Sequence, residues 1–438
     1  MLSMNTLQAL FGLMTAASYR LFRSPRLIAA LLTALLVGVG ISAVYRGAWS
    51  DRQRTDFSVF VRAAQAVESG ENIYDVKTSR QWNYVYLPLL ALLSAGFTKI
   101  PFGAAVLIWY LLSAAALIAV LSLAARLGSN AREGFFAALT ALVFSFPPIL
   151  GTLARGQLGV LSLLIALAVF WLYLRKRDAA AGFLLGFGIV LKTSPLAPLI
   201  FFFLFRRSWK ALFSCAAGGV FFALILPGLL AGHERNMFWL AEYLRLTSHA
   251  VSDRGYEGIL WQQLVTPFAE DNQSLYAVLT RIAWGSEAAY IGHSNEIIRW
   301  AVRLAAALIL AGGAAAALRN PKRSPAKRLL LEFSLYPMLM LWVSPVTQNH
   351  HYTAMFLLFL AGALYLTPDD SSEQRIPERN RFLAGLCLAG LSFLAGLIVE
   401  DLAWWGLPVW GTLLGASLMY VPALWLTRTK ENSETDQR

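Results

Sequence analysis

The chain has 438 residues, of which 57% are hydrophobic and only 14% are charged, and it carries a formal net charge of +12. Soluble domains carry roughly 25% charged residues, so this much apolar surface excludes a water-soluble protein and requires lipid as the solvent for most of the chain. The positive charge lies in short turns between apolar segments, which favours membrane topology over nucleic-acid binding as its cause. The sequence therefore predicts an all-α polytopic membrane protein with no nucleic-acid partner.

The N-terminal segment, residues 1–26, is only moderately apolar and carries three arginines near its end. This pattern predicts a cytoplasmic or interfacial helix before a retained anchor, and not a cleaved signal peptide. A membrane domain with about 12 transmembrane helices is predicted over residues 27–427, followed by a cytoplasmic tail over residues 428–438. The predicted spans are Leu27–Tyr45, Phe102–Ala125, Gly134–Leu150, Leu158–Leu174, Ala179–Leu191, Pro195–Phe205, Ala211–Ala231, Ala301–Leu318, Leu329–Val343, Tyr352–Thr367, Phe382–Val399 and Trp405–Thr427.

The basic residues give the predicted orientation of these spans. When the spans alternate sides, nearly every cluster of arginine and lysine falls on one face, which is the cytoplasmic face by the positive-inside rule. Two long segments, residues 46–100 and 232–300, then lie on the exoplasmic side, together with most of the polar residues that could form a site. We expect a multi-pass protein of the cell inner (plasma) membrane with its active site on the exoplasmic, or periplasmic, side.

The first exoplasmic segment begins with a short amphipathic pattern. Asp56 precedes apolar residues at helical spacing, and Gly70 is a typical helix stop, so the pattern predicts a helix that lies on the membrane surface. Asp56 has two interpretations that do not exclude each other: the N-cap of this helix, or a general base that deprotonates an acceptor hydroxyl. After Pro88, an apolar run of about a dozen residues ends at Phe97 and predicts a re-entrant or interfacial helix.

Two of the predicted spans are short. Ala179–Leu191 and Pro195–Phe205 contain 13 and 11 residues, and at about 1.5 Å per residue each covers roughly 20 Å or less of a hydrocarbon core about 30 Å thick. The turn between them, with Lys192, is therefore expected below the exoplasmic surface, where a lysine needs a water-filled cavity or an anionic partner. A snorkelling lysine is the alternative to a cation that binds the phosphate of a leaving group.

Two further turns carry polar groups suited to binding a phosphorylated sugar. In Arg155-Gly156-Gln157 the arginine could bind phosphate bidentately and the glutamine a sugar hydroxyl, although a helix stop at the glycine explains the turn equally well. Asn272-Gln273-Ser274 forms a polar triplet in a loop of the second exoplasmic segment. Alone it is a weak signal for substrate binding.

His350 and His351 open the tenth predicted span. They are either interfacial histidines satisfied by water or residues with a hydrogen-bonding or acid–base role beside Asp56. No cluster of histidine, cysteine and carboxylate residues accompanies them, so a metal is not expected. No phosphate-binding glycine loop of the P-loop or Rossmann type is present either, so we expect no cofactor and no soluble nucleotide as the immediate donor.

Several of these residues also occur in an ordered set that resembles a known family. The set consists of Asp56-Phe57, Gly70, Tyr74-Asp75, Tyr86-Leu87-Pro88-Leu89, Gly156-Gln157, Gly186 with Lys192 and Pro195, Asn272-Gln273-Ser274, and Ser344-Pro345 with His350. The resemblance is to glycosyltransferase family 87, whose members have the GT-C membrane architecture and include polyprenyl-phosphate-mannose-dependent mannosyltransferases of mycobacterial glycolipid synthesis. One departure is Leu87, where many relatives have a second proline before the re-entrant helix.

The resemblance implies a catalytic aspartate in the first exoplasmic loop, which corresponds to Asp56, and a functional histidine that corresponds to His350 or His351, with His350 preferred. It also implies a polyprenyl-phosphate sugar donor, inversion at the anomeric carbon and no obligatory metal. The resulting hypothesis is a GT-C membrane glycosyltransferase that moves a sugar, most plausibly mannose, to a hydroxyl of a lipid or glycan acceptor. Asp56 and His350 are its predicted catalytic residues, and the predicted substrate-binding residues are Arg155, Gln157, Lys192, Asn272, Gln273 and His351.

Two other classes of protein fit the hydropathy. A secondary transporter or lipid flippase would also have about twelve spans, but the sixth and seventh spans are joined only by the short turn from Arg206 to Lys210. Transporters with two halves usually have a longer connector there, and the bulk of the polar sequence lies instead in the two exoplasmic segments. A non-catalytic assembly subunit is the third class, which the spread of polar motifs disfavours.

Overall fold

The computed structural model of the protein describes residues 25–49, 55–76, 82–251, 266–269, 272–285, 296–319, 325–366 and 376–421. In these ranges every named element is a helix, and one isolated antiparallel bridge joins Asn272 to Gln348. The all-α expectation is confirmed. The predicted cytoplasmic tail and nearly all of the predicted N-terminal interfacial helix lie outside the described residues.

The first half of the chain forms the helices that contribute most of the candidate site. The helices are α1 (Pro25–Ala48), α2 (Phe57–Ser69), α3 (Pro88–Leu93), α4 (Phe102–Ala125), α5 (Ala131–Phe144), α6 (Phe146–Arg155), α7 (Gly159–Leu174), α8 (Asp178–Leu191), α9 (Leu199–Phe205) and α10 (Trp209–Ala231). A 3₁₀ turn, Ala95–Lys99, follows α3, and a short helical turn, Thr193–Leu196, separates α8 from α9.

The second half continues the bundle. The helices are α11 (His233–Val251), α12 (Leu275–Trp284), α13 (Glu296–Arg319), α14 (Ala326–Val343), α15 (Met355–Leu366), α16 (Ile376–Ile398), α17 (Glu400–Trp404) and α18 (Leu407–Val421). A 3₁₀ helix, Asn349–Ala354, leads into α15.

Four of the described helices are long and apolar enough to cross a bilayer, namely Ala30–Ala48 within α1, α4, α10 and Glu296–Leu318 within α13. A fifth is obtained if α5 and α6 are counted as one broken span. The chain is therefore a multi-pass membrane protein, and the helices lie where the predicted spans were placed. The count of about 12 crossings stays a prediction, because several helices are shorter than a membrane core requires.

The third predicted span, Gly134–Leu150, was expected as one helix, and the structure bends it. The chain breaks at Ser145, and the axes of α5 and α6 differ by 69°. The cause lies in Pro147 and Pro148, which have no N–H groups to donate to the carbonyls one turn earlier. The bend directs the C-terminal end of α6, with Arg155, toward α2.

The helix α2 begins and ends where the sequence predicts, after Asp56 and before Gly70. Its expected place at the membrane surface stays a prediction. Eight of its 13 residues are buried inside the protein. They pack against α3 and the 3₁₀ turn Ala95–Lys99, and Phe57 stacks on Trp109 of α4. Protein, and not lipid, therefore covers the apolar side of α2 and fixes the position of its first residues.

The short predicted pair around Lys192 is confirmed as two short helices. α8 has 14 residues and ends at Leu191, and α9 has seven and begins at Leu199. α8 packs closely on α10 at Gly186. A Cβ atom on Gly186 would lie 2.5 Å from the carbonyl oxygen of Cys215, so the contact leaves no room for a side chain. Small residues at such a contact let helix backbones approach in membranes.

A buried ion pair joins the end of α9 to α14. The Arg206 guanidinium, one residue after α9, donates to both carboxylate oxygens of Glu332 in α14, and the Nε–Oε1 distance is 2.9 Å. The two side chains are 1% and 0% exposed. The pair connects α9, which follows Lys192, to α14, which precedes the segment with His350.

Candidate active site

Asp56 is held at the junction between α2 and α6. Its backbone N–H donates to the carbonyl oxygen of Arg155 at 2.8 Å. It occupies the N-cap position of α2, but its side chain makes no capping hydrogen bond and its backbone is helical (φ −68°, ψ −20°), unlike the extended backbone of an ordinary cap. The carboxylate turns instead toward Gln157, whose Nε2 donates to Oδ2 at 2.6 Å.

Gln157 connects the aspartate to the buried lysine. Its Oε1 accepts hydrogen bonds from the Tyr86 hydroxyl at 3.1 Å and from Lys192 Nζ at 3.4 Å. The orientation of the amide follows from chemistry, because an ammonium group has only donors and an ionised carboxylate only acceptors. The amide oxygen must face Lys192 and the amide nitrogen must face Asp56. The side chain is buried, so the predicted contact of Gln157 with a sugar hydroxyl would have to share an amide that already has three partners.

Gly156 makes this geometry possible. It ends α6 in the left-handed conformation, with φ +66°, and its carbonyl oxygen accepts a hydrogen bond from Trp109 Nε1 at 2.8 Å. A Cβ atom at this position would lie 2.9 Å from Cβ of Phe57. The glycine stop predicted for this turn is confirmed, and the same turn carries the site residues on both sides of it.

Replacing Gly156 by alanine is therefore expected to destabilise the protein by about 1–3 kcal/mol. The alanine backbone must adopt the strained left-handed conformation, and the added methyl group must displace Phe57. Thermal unfolding of the purified variant in detergent measures the loss. Gly38→Ala is the matched control, since a Cβ atom on Gly38 would meet nothing within 4 Å. Equal unfolding midpoints for the two variants would contradict this account of the turn.

Lys192 lies in the turn between α8 and the short helical turn that follows it, and its side chain is only 6% exposed. Burial lowers the pKa of Lys192 to about 8, and the negative charge of Asp56 opposes that shift. The lysine is buried within the protein, and its depth below the exoplasmic surface stays a prediction. A snorkelling side chain would reach solvent, whereas this ammonium group reaches the amide of Gln157.

Asp56 experiences opposing influences on its pKa. Burial raises the pKa of the carboxyl group above its ordinary value, whereas the hydrogen bond from Gln157 and the positive charges of Arg155 and Lys192 lower it. The net direction is upward. A carboxylate with a raised pKa is a stronger base than a solvated one, which suits the group to general-base catalysis.

The two histidines lie in electrostatic reach of the same cations. Burial lowers the pKa of His350 well below its ordinary value, and the neighbouring His351 and the positive charges of Lys192 and Arg155 lower it further. Burial, Lys192 and Arg155 also lower the pKa of His351. Both imidazoles are therefore neutral at physiological pH, and each can act as both donor and acceptor.

His350 and His351 differ in their hydrogen bonds. Nδ1 of His351 accepts from the backbone N–H of Gln348 at 3.2 Å, which leaves the proton on Nε2. Neither ring nitrogen of His350 has a hydrogen-bond partner in the described part of the chain, although the side chain is only 3% exposed. An unsatisfied buried imidazole is costly, so His350 is the better candidate of the two for contact with a substrate.

A small cavity brings the lysine and one histidine together. Its volume is about 10 Å³, room for about one water molecule, and both Lys192 and His351 line it, together with Ser162, Pro195 and Pro337. Asp56, Arg155, Gln157, Lys192, His350 and His351 thus gather in one region.

Asn272 and Gln273 occupy a different setting. The Asn272 amide donates to the carbonyls of Thr266 and Pro345 and accepts from the N–H groups of Ser274 and Thr347. Gln273 Nε2 donates to the carbonyl of Ala403 at 2.9 Å. Both side chains are buried. Substrate binding by these two residues stays a prediction, and their visible contacts hold the loop that precedes His350.

The residues that the sequence reasoning did not assign are Tyr86 and Trp109. Tyr86 stands in the Tyr86-Leu87-Pro88-Leu89 motif, but nothing in the motif indicates that its hydroxyl reaches a residue 71 positions later. Within the described ranges, no group of three or more histidine, cysteine, aspartate or glutamate side chains could hold a metal ion. The expectation that no metal is needed stays a prediction.

The chain is similar to several known proteins. The chain is 27% identical over 340 residues to the polyprenol-phosphate-mannose-dependent alpha-(1-2)-phosphatidylinositol pentamannoside mannosyltransferase of Mycobacterium tuberculosis (strain CDC 1551 / Oshkosh), covering 76% of this chain and 71% of that protein. Among solved structures, ArnT from Cupriavidus metallidurans bound to undecaprenyl phosphate matches with a TM-score of 0.42 and 12% identity, covering 94% of this chain and 80% of that one. The sequence model of glycosyltransferase family 87 matches residues 84–345, more than half of the chain, and the chain therefore belongs to glycosyltransferase family 87.

Proposed function

We propose that the protein is a GT-C membrane glycosyltransferase that transfers mannose from a polyprenyl phosphate to a hydroxyl of a lipid or glycan acceptor on the exoplasmic face. The observation that carries the proposal is the chain of hydrogen bonds from Asp56 through Gln157 to Lys192. It joins a base to a cation by way of one neutral amide. Such a site can accept a proton at one end and stabilise a departing phosphate at the other.

The proposed reaction inverts the anomeric carbon in a single displacement. The acceptor oxygen attacks the anomeric carbon while Asp56 takes up the hydroxyl proton. The bond between that carbon and the phosphate oxygen breaks, and the polyprenyl phosphate leaves with the electron pair. Lys192 and Arg155 stabilise the negative charge that develops on the phosphate, because both cations lie in electrostatic reach of Asp56 and the histidines.

His350 is proposed to orient the sugar or the acceptor. The ring is neutral and lacks a partner on either nitrogen in the described part of the chain, so a substrate hydroxyl would satisfy it. The name of the mycobacterial relative supports the choice of mannose and of a polyprenyl carrier. Membership in a glycosyltransferase family favours covalent chemistry over the transporter or flippase alternative.

The experiment that tests the proposal reconstitutes the purified protein in liposomes with radiolabelled polyprenyl-phosphate mannose and a membrane lipid extract as acceptor. The expected result is a labelled glycolipid or glycan whose mass increases by one hexose, together with release of unglycosylated polyprenyl phosphate. The configuration of the new linkage, opposite to that of the donor, establishes inversion. Movement of the donor between leaflets without any covalent product would instead favour a flippase.

Lys192 gives the reaction an expected alkaline limit. If the ammonium form stabilises the leaving phosphate, kcat/KM should fall above about pH 8, because the proton is lost as the pH rises through the lowered pKa of Lys192. Lys192→Arg keeps the positive charge at every accessible pH and should shift this limb upward by more than one pH unit, even where its geometry lowers the maximum rate. The pH profile of kcat/KM between pH 6 and 10 measures both. An identical alkaline limb in the arginine variant would exclude Lys192 as its source.

A further inference from the structure

Tyr86 is fixed beside the proposed base although nothing in the sequence pattern gives it a role there. It lies just before α3, where its backbone carbonyl accepts a hydrogen bond from the Tyr74 hydroxyl at 3.0 Å. Its ring packs edge-on against Phe60 of α2, with the ring centroids 5.2 Å apart. Because backbone and ring are both held, the hydroxyl group points at a defined place, and that place is Oε1 of Gln157, 3.1 Å away.

The amide of Gln157 is oriented by Asp56 and Lys192, but these two groups alone hold it loosely. A glutamine side chain has several rotatable bonds, and a firm partner on its oxygen limits their rotation and keeps its nitrogen directed at Asp56. Lys192 lies at 3.4 Å from the same oxygen, near the limit of a useful hydrogen bond. The Tyr86 hydroxyl is the closer of the two donors, and it comes from a different segment of the chain than Lys192.

We propose that Tyr86 is a positioning residue, which fixes the Gln157 amide and thereby holds the Asp56 carboxylate with Oδ2 occupied and Oδ1 directed to the acceptor hydroxyl. This inference rests on the proposed function of Asp56 as the base. Tyr86 acts through Gln157 and does not itself touch the reacting atoms.

Loss of the Tyr86 hydroxyl has a defined electrostatic consequence. The charged groups that face Asp56 are Arg155 and Lys192, and the neutral donor that faces it is Gln157. The two positive charges stay when Tyr86 is changed, whereas the hydrogen bond from Gln157 loosens. Since that hydrogen bond lowers the pKa of Asp56, its weakening raises the pKa, and the acid limb of the reaction moves to higher pH.

Tyr86→Phe tests the inference, because it removes the hydroxyl and keeps the ring on Phe60. The matched control is Tyr84→Phe in the same segment, whose hydroxyl donates to the carbonyl of Leu87 and accepts from the N–H of Ala91 but does not touch Gln157. Protonation of Asp56 is followed without substrate, from the pH dependence of its modification by a carbodiimide, which reacts with the protonated carboxyl. Mass spectrometry of the Asp56 peptide gives the extent of modification.

The expected result is a higher midpoint for Asp56 modification in Tyr86→Phe and an unchanged midpoint in Tyr84→Phe. In the transfer assay, Tyr86→Phe should lower kcat about three- to tenfold, the usual effect of one lost hydrogen bond, with the donor KM unchanged. In a Gln157→Ala background the same substitution should have no further effect on either quantity, because the two residues act as one unit. An unchanged Asp56 midpoint, or full additivity with Gln157→Ala, overturns the inference. A wild-type protein that transfers no sugar overturns the proposed function instead. The modification assay uses no substrate, so it still tests whether Tyr86 acts on Asp56.

Discussion

Replacing Asp56 by asparagine is expected to lower kcat for sugar transfer by about 10²–10⁴-fold, the range usually supplied by a general base. Asparagine has nearly the same shape, so the substitution keeps the side chain in its space and removes the negative charge and the site that takes up the proton. The backbone hydrogen bond from residue 56 to the Arg155 carbonyl does not depend on the side chain and should persist. Initial rates with saturating polyprenyl-phosphate mannose measure the change.

Folding must be shown to be intact for this result to bear on mechanism. Size-exclusion chromatography and thermal unfolding in detergent check that Asp56→Asn resembles the unmodified protein. Glu71→Gln is the control, since Glu71 is an exposed carboxylate just beyond the end of α2, and it should transfer sugar at the normal rate. A folded Asp56→Asn protein that also retains full activity would exclude Asp56 as the general base. The hydrogen bonds from Asp56 through Gln157 to Lys192 would then have no role in taking up the proton.

Individual residues of the site could be predicted from local sequence patterns. Asp56, Gly70 and Lys192 were identified because each follows or interrupts a local pattern: a helix start, a helix stop, and a turn between two helices too short to cross the bilayer. Local periodicity is a property of a few neighbouring residues. The start of α2 and the burial of Lys192 could therefore be predicted before any coordinates were known.

The connections between these residues could not be predicted in the same way. Gln157 bonds to Asp56 across 101 positions and to Lys192 across 35, and hydropathy does not contain such pairings. The turn of Gln157 was predicted to bind a sugar, whereas its amide is taken up by protein groups. The burial of α2 has the same origin, because the contact that covers it comes from α3, α4 and the bent α6. The bend itself had a local signal in Pro147-Pro148, which marks a helix that stops and restarts.

The basic clusters show the opposite limit of sequence reasoning. Arg206 belongs, with Arg207 and Lys210, to a basic cluster that the alternation of spans places on the cytoplasmic side. The structure shows it buried and paired with Glu332, 126 positions away. A positive-inside count treats every arginine at a helix end alike, whereas only the three-dimensional packing decides which one faces water.

Breaking the pair of Arg206 and Glu332 is expected to destabilise the protein by about 3–5 kcal/mol, because either single substitution leaves a charge in a place that excludes water. The effect should be unequal. Arg206→Met leaves a carboxylate, which can escape by taking up a proton, whereas Glu332→Leu leaves a guanidinium, which cannot lose one. Glu332→Leu should therefore show the lower unfolding midpoint in detergent.

The double variant separates the energy of the pair from its role in holding helices together. With both charges gone, Arg206→Met/Glu332→Leu leaves two apolar side chains of similar volume between α9 and α14, and it should recover most of the stability lost in either single variant. The surface pair of Arg245 and Glu242, with side chains 56% and 20% exposed, is the comparison, and Arg245→Met should cost no more than about 1 kcal/mol. If Glu332→Leu were as mild as Arg245→Met, the buried pair would contribute nothing to the fold. If instead the double variant were stable but transferred sugar slowly, the pair would serve to keep the Lys192 turn and the His350 segment in register, because α9 and α14 lead to those two sides of the site.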